Sequence, residues 1–240
     1  MRAFINLRYG VPERRSAFLK GLSRLGYVPV DGFPKDNIRE GDLLVTWNRI
    51  GAGNTWAKKF QKTGLPVIVT ENSSWGNTFA GQRWYHMASS FHNTAGRFPI
   101  GSPDRWKGLN VSLQPWRTTG DTIILPQRGI GSSPTKMPFS FTNEARRNHK
   151  GRIRKHPGQR KVAPLKDDLE GCQEAITWGS GAAIIALTLG VRVISYMPNW
   201  IGEQDNTDEG RLAMFERLAW AQWTLDEIAT GEPFARLLGR

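Results

Sequence analysis

The 240-residue sequence holds one cysteine, Cys172, which excludes an internal disulfide framework and a cysteine-based zinc site. It has no long hydrophobic run. The longest apolar stretch, residues 182–191, stops at Arg192 and is about half of the roughly 20 residues a membrane span requires. The first residues, Met1 to Asn6, lack the extended apolar region of a signal peptide, so a cytoplasmic location is expected. Acid is scarce: 21 Asp+Glu stand against 33 Lys+Arg, a formal net charge of +12. That excess points to a polyanionic partner or an anionic ligand and says nothing about fold. Hydrophobic residues at 39% and aromatics at 10% supply ample core, which excludes global disorder.

Residues 3–7 read as a strand ending near Gly10, and Pro12 is placed to open a helix. Ala17, Phe18, Leu22 and Leu25 then keep helical spacing until Gly26. Residues 27–30, 42–47 and 66–70 read as further strands, with a helix over 55–63. Residues 72–117 are rich in Gly, Ser, Asn, Trp and His without a clear period, which predicts irregular structure. A second alternating series follows: strands over 122–125, 151–155, 175–178 and 191–196, and helices over 141–148, 165–172 and 181–189. Residues 208–229 read as one long amphipathic helix. The expected fold is α/β, with two Rossmann-like domains of parallel sheet flanked by helices. Residues 1–110 form the N-terminal domain and 111–240 the C-terminal one, whose last helix is free to pack back on the first.

Two segments stand out for chemistry. Arg154-Lys155-His156-Pro157-Gly158 and Trp178-Gly179-Ser180-Gly181-Ala182-Ala183 each fall where a strand gives way to a loop or helix. Ligands of open parallel sheets bind beyond the carboxyl ends of the strands. Ser180 and Gly181 open a helix, whose N–H groups and dipole favour phosphate, and small residues there let an anion approach. His156 offers a donor on a turn fixed by Pro157. Alone, a His-Pro pair is a turn and a Gly-Ser-Gly a helix cap. The ordered combination of strand, His-Pro, helix, strand, Ser and apolar helix is what singles them out.

That combination resembles the nucleotide-binding half of glycosyltransferases with the GT-B fold. Over residues 120–200 it is most similar to the capsule-polysaccharide type and the glycerophosphate transferases, and its His-Pro and Ser motifs are also similar to those of bacterial sialyltransferases. The resemblance implies that His156 and Ser180 contact a donor nucleotide and its phosphate, with Arg154, Gly179 and Gly181 beside them. It implies a nucleotide-sugar donor, a UDP-sugar in the first instance, and no metal or other cofactor; no Asp-x-Asp element is present. The family commonly carries an acidic residue in the apolar helix, where this chain has Ile185 before Ala186-Leu187.

Glycosyl transfer with inversion needs a base for the acceptor hydroxyl. Glu71 follows the strand over 66–70, at its carboxyl end, and is the first candidate. His86, His92 and Asp104 are its rivals, an imidazole being suited to a base near neutrality. Arg49, in the loop over 48–54, is a candidate for acceptor or phosphate contact. The run over 145–161 carries Arg146, Arg147, Lys150, Arg152, Arg154, Lys155, Arg160 and Lys161 with no acid. Such a run is either a solvated face or a polyphosphate surface. Trp75, Trp84, Trp106 and Trp116 are either core or platforms for a displaced base or a sugar. Arg49, Trp75, Arg146 and Arg147 are therefore the expected acceptor-side residues. The acceptor expected from charge is double-stranded DNA, such as a hydroxymethylated pyrimidine in a virus-modified genome. A glycan- or lipid-linked acceptor, or a basic non-catalytic nucleic-acid-binding module, stays open. No obligate protein partner is inferred.

Overall fold

The computed structural model of the chain describes residues 1–8, 10–91, 96–131, 133, 135–158 and 162–240. His92, Arg160 and Lys161 lie outside the described residues. In chain order the elements are β1 (Arg2–Asn6), α1 (Pro12–Arg24), β2 (Val28–Asp31), β3 (Leu43–Trp47), α2 (Ala52–Lys62), β4 (Val67–Asn72), β5 (Thr78–Phe79) and β6 (Gln82–Ser89). Then come α3 (Asp104–Lys107), β7 (Asp121–Leu125), α4 (Phe141–His149), β8 (Arg152–Ile153), α5 (Leu165–Leu169), β9 (Cys172–Thr177), α6 (Gly181–Thr188), β10 (Arg192–Ser195) and α7 (Asp208–Leu218). A 3-10 turn over Ala219–Ala221 leads into β11 (Gln222–Thr224), α8 (Leu225–Thr230) and α9 (Glu232–Leu238).

The chain forms two compact units. Unit 1 comprises Met1–Ser73, Asn77–Gly101 and Ala219–Arg240; unit 2 comprises Ser74–Gly76 and Ser102–Leu218. The crossing thus falls at Gly101 rather than at 110, and the last segment belongs with unit 1.

The sheet of unit 1 runs β11-β6-β4-β3-β1-β2, with β5 paired to β6. β1 to β4 are parallel, and the centres of β1, β3 and β4 are continuous buried apolar runs such as Ala3-Phe4-Ile5 and Leu43-Leu44-Val45, while β2 is the more exposed edge. That pattern belongs to a sheet covered on both faces. One face packs Ala3, Ile5, Val45, Ile68, Tyr85 and Met87 against Phe18 and Leu22 of α1, Ile228 of α8 and Phe234 of α9. The other packs Phe4, Leu44, Val67 and Val69 against Ala57 and Phe60 of α2. α1 and α8 meet so closely that a Cβ on Gly21 would lie 2.1 Å from the Ile228 carbonyl oxygen.

Two expectations change here. The irregular stretch after residue 72 contains β6, an eight-residue strand antiparallel to β4 and β11, so this sheet is mixed. The long helix over 208–229 is interrupted by β11, which closes the edge of the unit 1 sheet beside β6. Thr224 then restarts the chain as α8 through a capping box: its hydroxyl accepts from the Glu227 N–H and the Glu227 carboxylate accepts from the Thr224 N–H.

The sheet of unit 2 runs β10-β9-β7-β8 and is parallel throughout. Ile124 and Ile176 pack against Phe141 and Ala145 of α4, with Trp178 and Tyr196 edge-on to Phe141. A second aromatic group joins Trp75, Trp106 and Phe215, the last two stacked at 4.6 Å between ring centroids. Trp75, Trp84 and Trp106 are 1%, 4% and 4% exposed. Of the two roles open to these three, their burial favours the core, and Trp75, expected as an acceptor contact, is a core side chain. No helix among the described residues is long and apolar enough to cross a membrane.

Candidate active site

In unit 2, β8 and β9 flank β7, so the segments after them share the carboxyl edge of one sheet. His156 follows β8. Its Nδ1 accepts the Gly158 N–H at 3.0 Å, so a neutral ring carries its proton on Nε2 as a donor. Burial, and then the charges of Arg128 and Arg154, hold the imidazole below its usual range. Ser180 follows β9 and is the N-cap of α6. Its Oγ accepts from the Ala182 N–H at 3.2 Å, and its own N–H donates to Thr177 Oγ1 at 2.8 Å. The Ser180 hydroxyl proton is left to donate, next to a helix N-terminus that favours an anion.

The glycines have a different role from the expected one. A Cβ on Gly179 would lie 3.1 Å from Met197 Sδ, and one on Gly181 would lie 3.1 Å from the Ser74 carbonyl oxygen. Their small size admits protein atoms rather than a ligand. The Gly179 carbonyl accepts from Gln127 Nε2 at 3.1 Å, while Gln127 Oε1 is buried without a partner among the described residues. Arg154 is largely committed: its Nε donates to Asp168 at 2.7 Å and its Nη2 to the Ala163 carbonyl at 2.9 Å. Gln127 and Arg128, directly after β7, were not singled out in the sequence, although their place just past a strand is the same signal that marks His156 and Ser180. Arg146 and Arg147 are exposed on α4.

In unit 1, Glu71 lies at the carboxyl end of β4, opposite His86 of β6, which in turn lies opposite Gln222 of β11. Glu71 Oε2 is buried with no hydrogen-bond partner among the described residues. Burial pushes its carboxyl up to about 7, from an ordinary 4.5. A carboxyl so placed holds a proton near neutrality and can exchange it there. His86 is 0% exposed, and the Gln222 amide donates to its Nδ1 at 3.0 Å. It is a side chain of the sheet interior, so it is not a base open to an acceptor. Arg49, expected at the acceptor, is 3% exposed. Its guanidinium donates to Asn54, Gln61 and the Ser90 carbonyl and stacks over Phe91 at 4.3 Å. It fixes the loop that follows β3 instead. Asp104, in unit 2, is an exposed carboxylate that accepts from Ser102 Oγ at 2.7 Å. Among the described residues no group of three or more His, Cys, Asp or Glu side chains is placed to hold a metal ion.

No known protein-family profile matches the chain, and no curated protein matches it in sequence. Solved structures do. The chain is similar to the KpsC beta Kdo 2,4 transferase of Thermosulfurimonas dismutans, at 13% identity and a TM-score of 0.53. The match covers 92% of this chain and 90% of that one. It shares that protein's fold. A ligand-free aspartate transcarbamoylase of Trypanosoma cruzi also aligns, over 92% of this chain and 82% of that one at 12% identity. Its TM-score of 0.28 is too low to bear on the fold.

Proposed function

We propose that the chain is a glycosyltransferase that moves a sugar from a nucleotide-sugar to a hydroxyl acceptor. His156 Nε2–H and the Ser180 hydroxyl hold the donor phosphates, helped by the α6 N-terminus, and Glu71 takes the acceptor proton. The observation that carries this is Glu71 at a strand's carboxyl end, with Oε2 buried and without a partner among the described residues and its carboxyl pushed up to about 7 by burial. The fold shared with a Kdo transferase supports it. That neighbour makes a Kdo-type sugar the first donor to test beside a UDP-sugar.

Each of His156 and Ser180 offers a neutral donor, so phosphate binding draws on hydrogen bonds and on the charges of Arg128 and Arg154 around His156. The carboxylate form of Glu71 is the basic one, so transfer is expected to rise with pH through about 7. Calorimetric titration with a panel of nucleotides and nucleotide-sugars, followed by product analysis with hydroxyl acceptors, tests the assignment. Absence of binding by every nucleotide overturns it.

A DNA acceptor is the second reading, favoured by the +12 charge and by Arg146 and Arg147 exposed on α4. It predicts duplex binding whose log–log salt slope is about −0.9 per phosphate contact. It also predicts sugar on the base after incubation with hydroxymethylated duplex. Lack of duplex binding at low salt leaves a glycan or lipid-linked acceptor.

A further inference from the structure

Unit 1 carries a cavity of about 270 Å³ lined by Arg8, Val11, Arg14, Asn72, Asn77, Arg83, Trp84 and Tyr85. It opens where β4 ends and β6 begins, against the first turn of α1. Three guanidinium groups and two amides converge on it, and no carboxylate lines it. Arg8 and Arg83 are exposed, whereas Arg14 is 4% exposed. The Arg14 guanidinium lies over the Trp47 ring at 4.3 Å and near the Tyr85 ring at 5.7 Å. The guanidinium also hydrogen-bonds to Tyr85, yet its Nη2 is buried with no hydrogen-bond partner among the described residues. Burial first, and then the charges of Arg8 and Arg83, disfavour the Arg14 cation, only partly offset by Tyr85. A buried cation among like charges is costly to keep without a counter-ion. Two other arginines of this unit differ, while Arg236 of α9, over Trp220, keeps a buried Nε with no hydrogen-bond partner among the described residues. Arg49 has Asn54, Gln61 and a carbonyl, and half-buried Arg2 has Asp36 and Asp42.

We propose that this cavity is an oxyanion site that binds the acidic group, a carboxylate or a phosphate, of the sugar acceptor. The acceptor role rests on the glycosyltransferase reading; the anion site does not. Planar guanidinium donors match both oxyanions. The volume lies just under the roughly 300–1,000 Å³ of small-molecule pockets, which suits one acidic sugar or one terminal phosphate. Asn72 and Asn77 offer neutral partners for hydroxyls, and the Trp84 and Tyr85 rings wall the cavity. Trp84 Nε1 already donates to the Phe79 carbonyl at 2.8 Å, so its part is that of a wall. A nucleic-acid backbone is disfavoured, because it needs an extended basic track rather than one local, half-open pocket.

The test titrates the full chain with glucuronate, inorganic phosphate, glucose and a short DNA duplex, by calorimetry and Trp fluorescence. Glucuronate or phosphate is expected to bind, and glucose is not; the stronger of the two anions identifies the source. Arg83→Ala is expected to weaken that binding about tenfold or more, and Arg14→Met to weaken it further while keeping a stem over Trp47. Should Arg14→Met unfold, the Arg8→Ala/Arg83→Ala pair, both exposed, makes the same test. Neither anion binding to the wild-type chain, equal binding by the variants, or binding of duplex alone overturns the site. Anion binding lost in the variants, with no glycosyl transfer from any donor, keeps the site and overturns the transferase reading. Transfer to an acidic acceptor that is unchanged in those variants overturns the acceptor role.

Discussion

The carboxyl edges of the two sheets are built from different chemistry. In unit 1 two ionisable groups are short of partners among the described residues: Glu71 has a buried oxygen and Arg14 a buried nitrogen without a hydrogen bond. In unit 2 most are bonded or paired, with Arg128 adding charge beside His156 and Gln127 keeping a buried Oε1 with no partner among the described residues. Ser180 is bonded to its own helix, His156 to Gly158, and Arg152 and Arg154 share Asp168. An edge with unpaired charge has free energy stored for a proton or an anion to release. A cross-bonded edge is pre-organised and binds by geometry. The proposed function assigns the acceptor and its proton to unit 1 and the donor to unit 2.

The largest expected effect sharpens the unit 1 side. Glu71 in the folded state keeps a proton between pH values of about 4.5 and 7 that the unfolded chain releases. The unfolded state therefore binds fewer protons across that window, and stability falls as pH rises through it, by roughly 3 kcal/mol in all. Glu71→Gln is expected to remove this slope and to be the more stable protein above the window. Urea unfolding of both proteins at about pH 5 and about pH 8 reads the difference; parallel pH dependence in the two would show that Glu71 is not the strained group.

Next come the neutral donors of unit 2. His156→Ala and Ser180→Ala should each weaken nucleotide binding by roughly 1–3 kcal/mol in calorimetry. Ser180→Ala also removes an N-cap, which costs about 1 kcal/mol of stability, whereas His156→Ala should leave the melting temperature nearly unchanged. If both variants bind nucleotide as the wild type does, the donor is not held at this edge. The smallest effect belongs to the exposed arginines of α4. Arg146→Ala and Arg147→Ala are expected to alter stability by less than about 0.5 kcal/mol. If the acceptor is DNA, each also flattens the salt slope by about one unit.

The parallel strands were legible because burial on both faces demands continuous apolar runs, and Ala3-Phe4-Ile5 or Val67-Ile68-Val69 satisfy that locally. β6 was not, because its residues 82–89 mix Trp, Tyr, His and Met with polar residues, and one of its partners, β11, lies far along the chain. The end of the long helix was legible in principle: Thr224 and Glu227 have capping-box spacing, and Gly231 sits at a left-handed φ of 89°. The amphipathic spacing of residues 208–229 hid it. At the site, the positions of Glu71, His156 and Ser180 follow from strand ends. The state of Glu71 does not, because its desolvation comes from tertiary burial. Nor does the burial of Arg14, since Trp47 and Tyr85 reach it from β3 and β6. The basic excess points to a polyanionic partner or an anionic ligand, yet Arg2, Arg49, Arg152 and Arg154 are paired or bonded inside the units.

The most direct measurement is the pH–rate profile of sugar transfer by the wild-type chain and by Glu71→Gln, with the nucleotide-sugar that calorimetry identifies. The wild-type rate should climb with pH and level off above about 7. Glu71→Gln should bind the donor with the same affinity, turn over roughly 10²–10⁴-fold more slowly, and lose that inflection. A variant that transfers sugar at near wild-type rate with the inflection intact would contradict Glu71 as the base and the division of labour between the two edges.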